Sequence, residues 1–168
     1  MAITQAMCGS YKKEITCGIH FWMQHSRASS ANIAADAFWI AMFTNSASLD
    51  QDTTGYTASN EVSGTNYTAK GQALASVTLG LSDNSSAVPT AYLDFANTTW
   101  GSSSISNARG ALIYNYTLTA AGSGSGVNNA AYPAVCVLDF GGDKSSSSGD
   151  FTITYPANDA NNAMIRLA

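Results

Sequence analysis

Two histidines and three cysteines stand in this chain of 168 residues, and any metal or nucleophile chemistry starts with them. Cys17, His20 and His25 make a C-x2-H-x4-H run, with Cys8 upstream as a fourth donor. Structural zinc sites use two paired knuckles, and this run supplies one. On a helix covering the N-terminal segment, Cys8 and Cys17 lie on opposite sides, which argues against a shared ion. The odd cysteine count without a CxxC reads as free buried thiols rather than a disulfide framework. His20 and His25 are the available general bases, yet neither has a neighbouring Asp or a constrained nucleophile. The GSGSG run at 122–126 places Gly124 where a nucleophile elbow needs serine. The expectation is a protein that is not an enzyme, with no catalytic residue, no metal and no cofactor.

The acidic residues offer a second possibility in VLDFGGDKSSSSGDFTITYP, residues 137–156. Asp139, Asp143 and Asp150 are spaced four and seven apart, whereas calcium loops place carboxylates at alternating positions around a turn glycine. The stretch therefore reads as the solvated loop of a hairpin between strands at 133–140 and 151–155. Three Trp, eight Tyr and six Phe leave one more option. Trp22, Trp39, Trp100, Tyr67, Tyr92 and Tyr116 suit either a sugar-binding platform or a β core, and both readings stay open. No Gly-rich phosphate loop is present.

Charged residues are 11% of the chain, less than half the ordinary share of about 25%. Ser, Thr, Asn and Gly take their place, a neutral surface that favours association. The net charge is −4, and Lys12-Lys13 is the only adjacent basic pair, so a nucleic-acid partner is not expected. No run of 18 apolar residues suggests a membrane span. MAITQAMCGSYKKEITC lacks a charged leader followed by an apolar stretch, so no signal peptide is expected. A chain that stays in the cytoplasm, or leaves it inside something else, fits these features.

The elements that would carry such residues follow from periodicity. Ile3, Met7, Tyr11, Ile15 and Ile19 recur every four positions and predict an amphipathic helix over 2–19, stopped at Gly18. AFWIAMFT at 37–44 is a continuous apolar run of strand length. Further strands are expected at 72–81, 88–95, 108–118, 133–140, 151–155 and 163–167, with a loop at 120–130. The length and this spacing predict one domain over 1–168, an N-terminal helix at 1–20 and a β region at 37–168. The fold class is mainly β, an antiparallel sandwich or barrel with an N-terminal amphipathic helix.

Several segments together carry a resemblance: MAITQAMC, NEVSGTNYTAKG, FANTTW, ARGALIYN, VLDFGGDKSSSSGDFTITYP and NNAMIRLA, in that order along the chain. They are similar to a family of small virion-associated structural proteins of tailed bacteriophages. The chain departs from the family at 20–36, where its connection is enlarged. The resemblance implies a phage particle protein, assembled in the host cytoplasm and carried in the virion. The function expected is capsid decoration: a homo-oligomer, a trimer by icosahedral symmetry, that clamps the major capsid protein. The rival is a tail, baseplate or fibre component contacting tail proteins or a host surface glycan. Apolarity near the terminus marks Ile3, Met7, Tyr11, Phe21, Trp22 and Met23 as the expected partner contacts.

Overall fold

The computed structural model describes residues 2–24, 33–82, 89–119 and 130–168. Its strands are β1 (Ala6–Met7), β2 (Phe38–Phe43), β3 (Gly64–Thr65), β4 (Gln72–Ala73), β5 (Thr78–Leu81), β6 (Ala91–Asp94), β7 (Thr98–Ile105), β8 (Ala108–Asn115), β9 (Ala134–Lys144), β10 (Gly149–Ile153) and β11 (Ile165–Leu167), with one helix, α1 (Gly9–Thr16). They form three antiparallel sheets, ordered β1-β9-β8-β2-β4, β10-β7-β3 and β11-β6-β5. The mainly β expectation is met; none of these sheets closes into a barrel.

The centre of the first sheet is β2 and β8. Their FWIAMF and ARGALIYN sequences pair from Phe38 with Asn115 to Phe43 with Gly110. Ile40, Ala41, Met42, Phe43 and residues 111–115 are fully buried, so both sheet faces are covered and the strands read as unbroken apolar runs. Beyond the short β4, the outer edge of β2 is finished by a side chain. Met42 N donates to the Tyr67 hydroxyl at 2.9 Å. Glu61 anchors that segment by accepting from the Tyr56 and Tyr67 hydroxyls at 2.6 and 2.8 Å and from Lys70 N at 2.7 Å.

The expected helix over 2–19 is shortened to eight residues. Ile3 bridges Leu49, and Ala6 and Met7 pair with Val137 and Cys136, so the sheet claims the backbone groups of the first expected turns. Helix begins only after Cys8, whose φ of −63° and ψ of 138° are extended, and ends before Gly18 at φ +69°.

The hairpin expected around the SSSS run is also corrected. β9 continues to Lys144, and it does not pair with β10. β9 pairs with β8 in one sheet, while β10 pairs with β7 in another. Residues 98–115 and 134–153 thus form one long antiparallel ribbon that bends where each chain crosses between sheets, a corner of the kind that joins packed sheets. Serine side chains hold the corner. Ser146 N donates to Ile105 O at 2.8 Å, and Ile105 N donates back to Ser146 Oγ at 3.2 Å. The Ser103 and Ser146 hydroxyls are 2.8 Å apart, Asn107 N donates to Ser145 Oγ at 3.0 Å, and Ser148 N donates to Ser104 Oγ at 3.0 Å. Next to the corner the register slips: Ala108 faces Lys144 but Gly110 faces Asp139, so Arg109 alone stands opposite residues 140–143. Gly141, at φ +71°, provides the left-handed backbone that this bulge requires.

Replacing Ser146 with Ala removes both bonds of a half-buried hydroxyl and is expected to cost about 1–2 kcal/mol. Ser147→Ala, at an exposed corner position, is expected to stay within about 0.5 kcal/mol. Urea unfolding of the two variants checks the difference.

Candidate interaction surface

The residues expected to do chemistry are placed apart. Asp139 pairs with Arg109 (Nε–Oδ1 3.2 Å) and accepts from Gly141 N; Asp143 accepts from Asn45; Asp150 accepts from Ser102 N at 2.9 Å. The three carboxylates serve local backbone and side-chain groups and do not converge. The Arg109 pair is about a third exposed on both sides and contributes about 0–1 kcal/mol. Cys17 is exposed while Cys8 and Cys136 are buried, and burial pushes the Cys8 thiol up to about 12. Among the described residues no three His, Cys, Asp or Glu side chains group as metal ligands, and no helix is long and apolar enough to cross a membrane. His25 lies outside the described residues.

The six rings weighed as a sugar platform fall into separate pairings. Trp39 stacks on Tyr116 at 4.1 Å, Tyr67 on Trp100 at 5.8 Å, and Trp22 on Phe38 at 3.4 Å, while Tyr92 lies across Gly80 of the neighbouring strand. Lys70 Nζ sits 4.5 Å from the Tyr132 ring centroid and donates to its hydroxyl, capping the Trp39–Tyr116–Tyr132 group.

His20 and Asp36, between α1 and β2, belong to a buried polar chain. His20 Nε2 donates to Glu14 Oε2 at 2.8 Å, and His20 Nδ1 accepts from Asn115 Nδ2 at 3.2 Å. The Asn115 amide is oriented by Thr117 N, which donates to its Oδ1, and by Asp36 Oδ2, which accepts from its Nδ2 at 2.8 Å. Asp36 Oδ2 also accepts from Phe21 N. With the amide nitrogen facing Nδ1, that ring nitrogen must be an acceptor, so the imidazole is neutral with its proton on Nε2. Burial depresses the His20 pKa, against the opposing pull of Glu14 and Asp36. Both ring nitrogens are therefore committed to structure. The clamp delivers Trp22, which lies flat on Phe38 and donates its indole N–H to the Tyr11 hydroxyl at 2.9 Å.

Trp22 and Tyr11 form one wall of an apolar surface. In the β5-β6-β11 sheet, register puts Leu79, Leu93 and Ile165 in one cross-strand row and Leu81, Ala91 and Leu167 in the next, all on one face. Leu93 and Ile165 are buried. Leu79, Leu81 and Leu167 are 47%, 59% and 44% exposed, and Met23, beside Trp22, is 52% exposed; these are the exposed large apolar side chains of the described residues. Leu79 and Leu167 line an apolar cavity of about 230 Å³ together with Tyr11, Trp22, Leu93 and Ile165. Leu79, Leu81 and Leu167 thus give one uncharged, partly exposed apolar face of the β5-β6-β11 sheet.

The expected contact residues divide accordingly. Ile3 is buried under β8, where a side chain on Gly110 would meet its Cγ2 at 2.7 Å, and Tyr11 is 2% exposed. Ile3 is buried because the terminus is woven into the sheet, and Tyr11 because α1 packs on β9, so neither side chain is exposed in this chain alone. Met7 is half-buried on β1; Phe21 and Trp22 are half-buried in the clamp; Met23 projects to solvent. The sequence reading missed the leucines. Their signal, Leu79 and Leu81 alternating with Gly80 and Ser82, is that of any half-buried strand and does not say which face stays uncovered. Compared with family models, curated proteins and solved structures, the chain matches none.

Because the folded state holds His20 neutral and the unfolded chain titrates near 6.5, stability is complete above that pH and falls as pH drops below it toward the depressed value. A slope of up to about 1.4 kcal/mol per pH unit is expected there, and His20→Gln flattens it. Denaturant midpoints between pH 7.5 and 5, compared for the two proteins, read this directly.

Proposed function

We infer that the chain is a structural subunit that works by docking, and that its setting is the particle of a tailed phage, as a capsid decoration protein. The observation that carries the docking reading is the uncharged leucine strip. Leu79, Leu81, Leu167 and Met23 stand half in water, Leu79 and Leu167 beside a cavity, at a cost that partner burial would remove. The particle setting rests on the resemblance of the segments from MAITQAMC to NNAMIRLA. In this reading the three sheets pack as a sandwich around the bent ribbon, a rigid block whose neutral Ser/Thr surface suits a crowded shell. The strip binds the major capsid protein, and copies of the chain associate with one another. Many identical weak contacts then add up to a stable coat.

The test is a reconstruction of virions that carry the chain. Density for it is expected at hundreds of positions over the head, with the β5-β6-β11 face turned toward the capsid lattice. Leu167→Lys is expected to leave the fold intact and lower occupancy on particles at least tenfold. Density confined to a few copies at the tail, or particles lacking the chain, overturns the decoration role.

A further inference from the structure

We propose that two copies of the chain join through the outer edges of β5, pairing antiparallel about Gly80 across a two-fold axis to make one continuous six-stranded sheet. This rests on the docking reading above and names the self-contact within it. β5 is the last strand of its sheet, and among the described residues no strand pairs with its outer side. The β5–β6 register, with Ser82 N donating to Thr90 O, assigns the inward-pointing backbone groups to Thr78, Gly80 and Ser82. By alternation the N–H and C=O of Leu79 and Leu81 point outward. Centring the pair on Gly80 sets Leu79 of each copy opposite Leu81 of the other, as two hydrogen-bonded pairs with four backbone bonds. The same register brings together two of the most exposed apolar side chains of the described residues, twice, on one face. On the other face Thr78 meets Ser82 and glycine meets glycine, with the Tyr92 ring of each copy lying over its own Gly80, so no charged side chain intervenes.

Charge selects β5 over the other edges. Natural edge strands are guarded by lysine, proline, bulges or shortness. β5 reads Thr-Leu-Gly-Leu and carries no charge, so pairing it with a copy of itself opposes no like charges. β11 carries Arg166 at its centre, which self-pairing would set against another Arg166. β10 carries Asp150 and turns Phe151 and Ile153 into the core. β1, β3 and β4 have two residues each. A patch whose knobs and backbone are complementary to themselves is what a two-fold contact needs. The contact also places the two leucine strips side by side, doubling the surface offered to the capsid.

Sedimentation equilibrium over micromolar to millimolar concentrations tests the pairing. The expected result is a monomer–dimer equilibrium that Leu81→Lys weakens about tenfold or more and that Leu167→Lys, on the far edge of the same sheet, leaves unchanged. Thr78→Lys, at an exposed position on the same edge, serves as a second variant with the same expected loss. A chain that stays monomeric throughout, one that forms trimers, or an association indifferent to both β5 variants overturns the proposal. Such a result leaves decoration standing if virions still carry the chain, whereas particles without it sink the decoration reading and leave the dimer measurement intact.

Discussion

The structure depends on one antiparallel ribbon, residues 98–115 against 134–153, whose ladder breaks at a corner between two sheets and resumes on the other side. Bending two strands together strips several backbone groups of their ladder partners at the same place. Here short hydroxyl side chains take the freed N–H and C=O groups directly, with Ser103, Ser104, Ser145 and Ser146 each reaching across the bend. Hydroxyls are short enough to do this without loops of their own, and each is donor and acceptor at once. The same economy of charge recurs where Tyr67 stands in for a strand partner of Met42 and where Asn115 orients His20.

Two sets of buried and half-buried ionisable groups hold neighbouring segments together. Glu61 gathers two tyrosine hydroxyls and a backbone N–H to hold residues 56–70 along β2. Glu14, His20, Asn115 and Asp36 tie α1, the connection after it, and the end of β8 into one chain of bonds. A partly satisfied network of this kind would be worse than an apolar core, and a fully satisfied one fixes a unique arrangement. What it fixes is the position of Trp22, and through Trp22 the rim of the leucine surface.

The apolar strands were legible because their signal is local. AFWIAMFT, ARGALIYN and AVCVLDF show themselves by continuous burial-prone sequence, and β2, β8 and β9 lie there. β7 was invisible: TTWGSSSI offers only Trp100 and Ile105 as apolar residues, while its buried Thr98 and Ser103 are paid into hydrogen bonds that no pattern displays. The first helix was overextended because the four-residue spacing of Ile3, Met7 and Tyr11 also suits extended chain with alternate burial, and pairing to Leu49 and Val137 decided between them. Sequence proximity of β9 and β10 suggests a hairpin, whereas β10 pairs with β7, whose sequence gives no strand signal. The polar clamp joins positions 14, 20, 36 and 115, separations that carry no signature at all.

The bulge opposite Arg109 has a mechanical meaning beyond accommodating a bend. Four residues, 140–143, face one, so the register on the β10 side of the corner is not dictated by the register on the β9 side. The bulge works as an expansion joint. An inserted or deleted residue at Gly141–Gly142 changes the slack, while Leu138 keeps facing Ala111 and Phe151 keeps facing Trp100. The joint thus lets a change of chain length between the two ends be absorbed without moving either ladder.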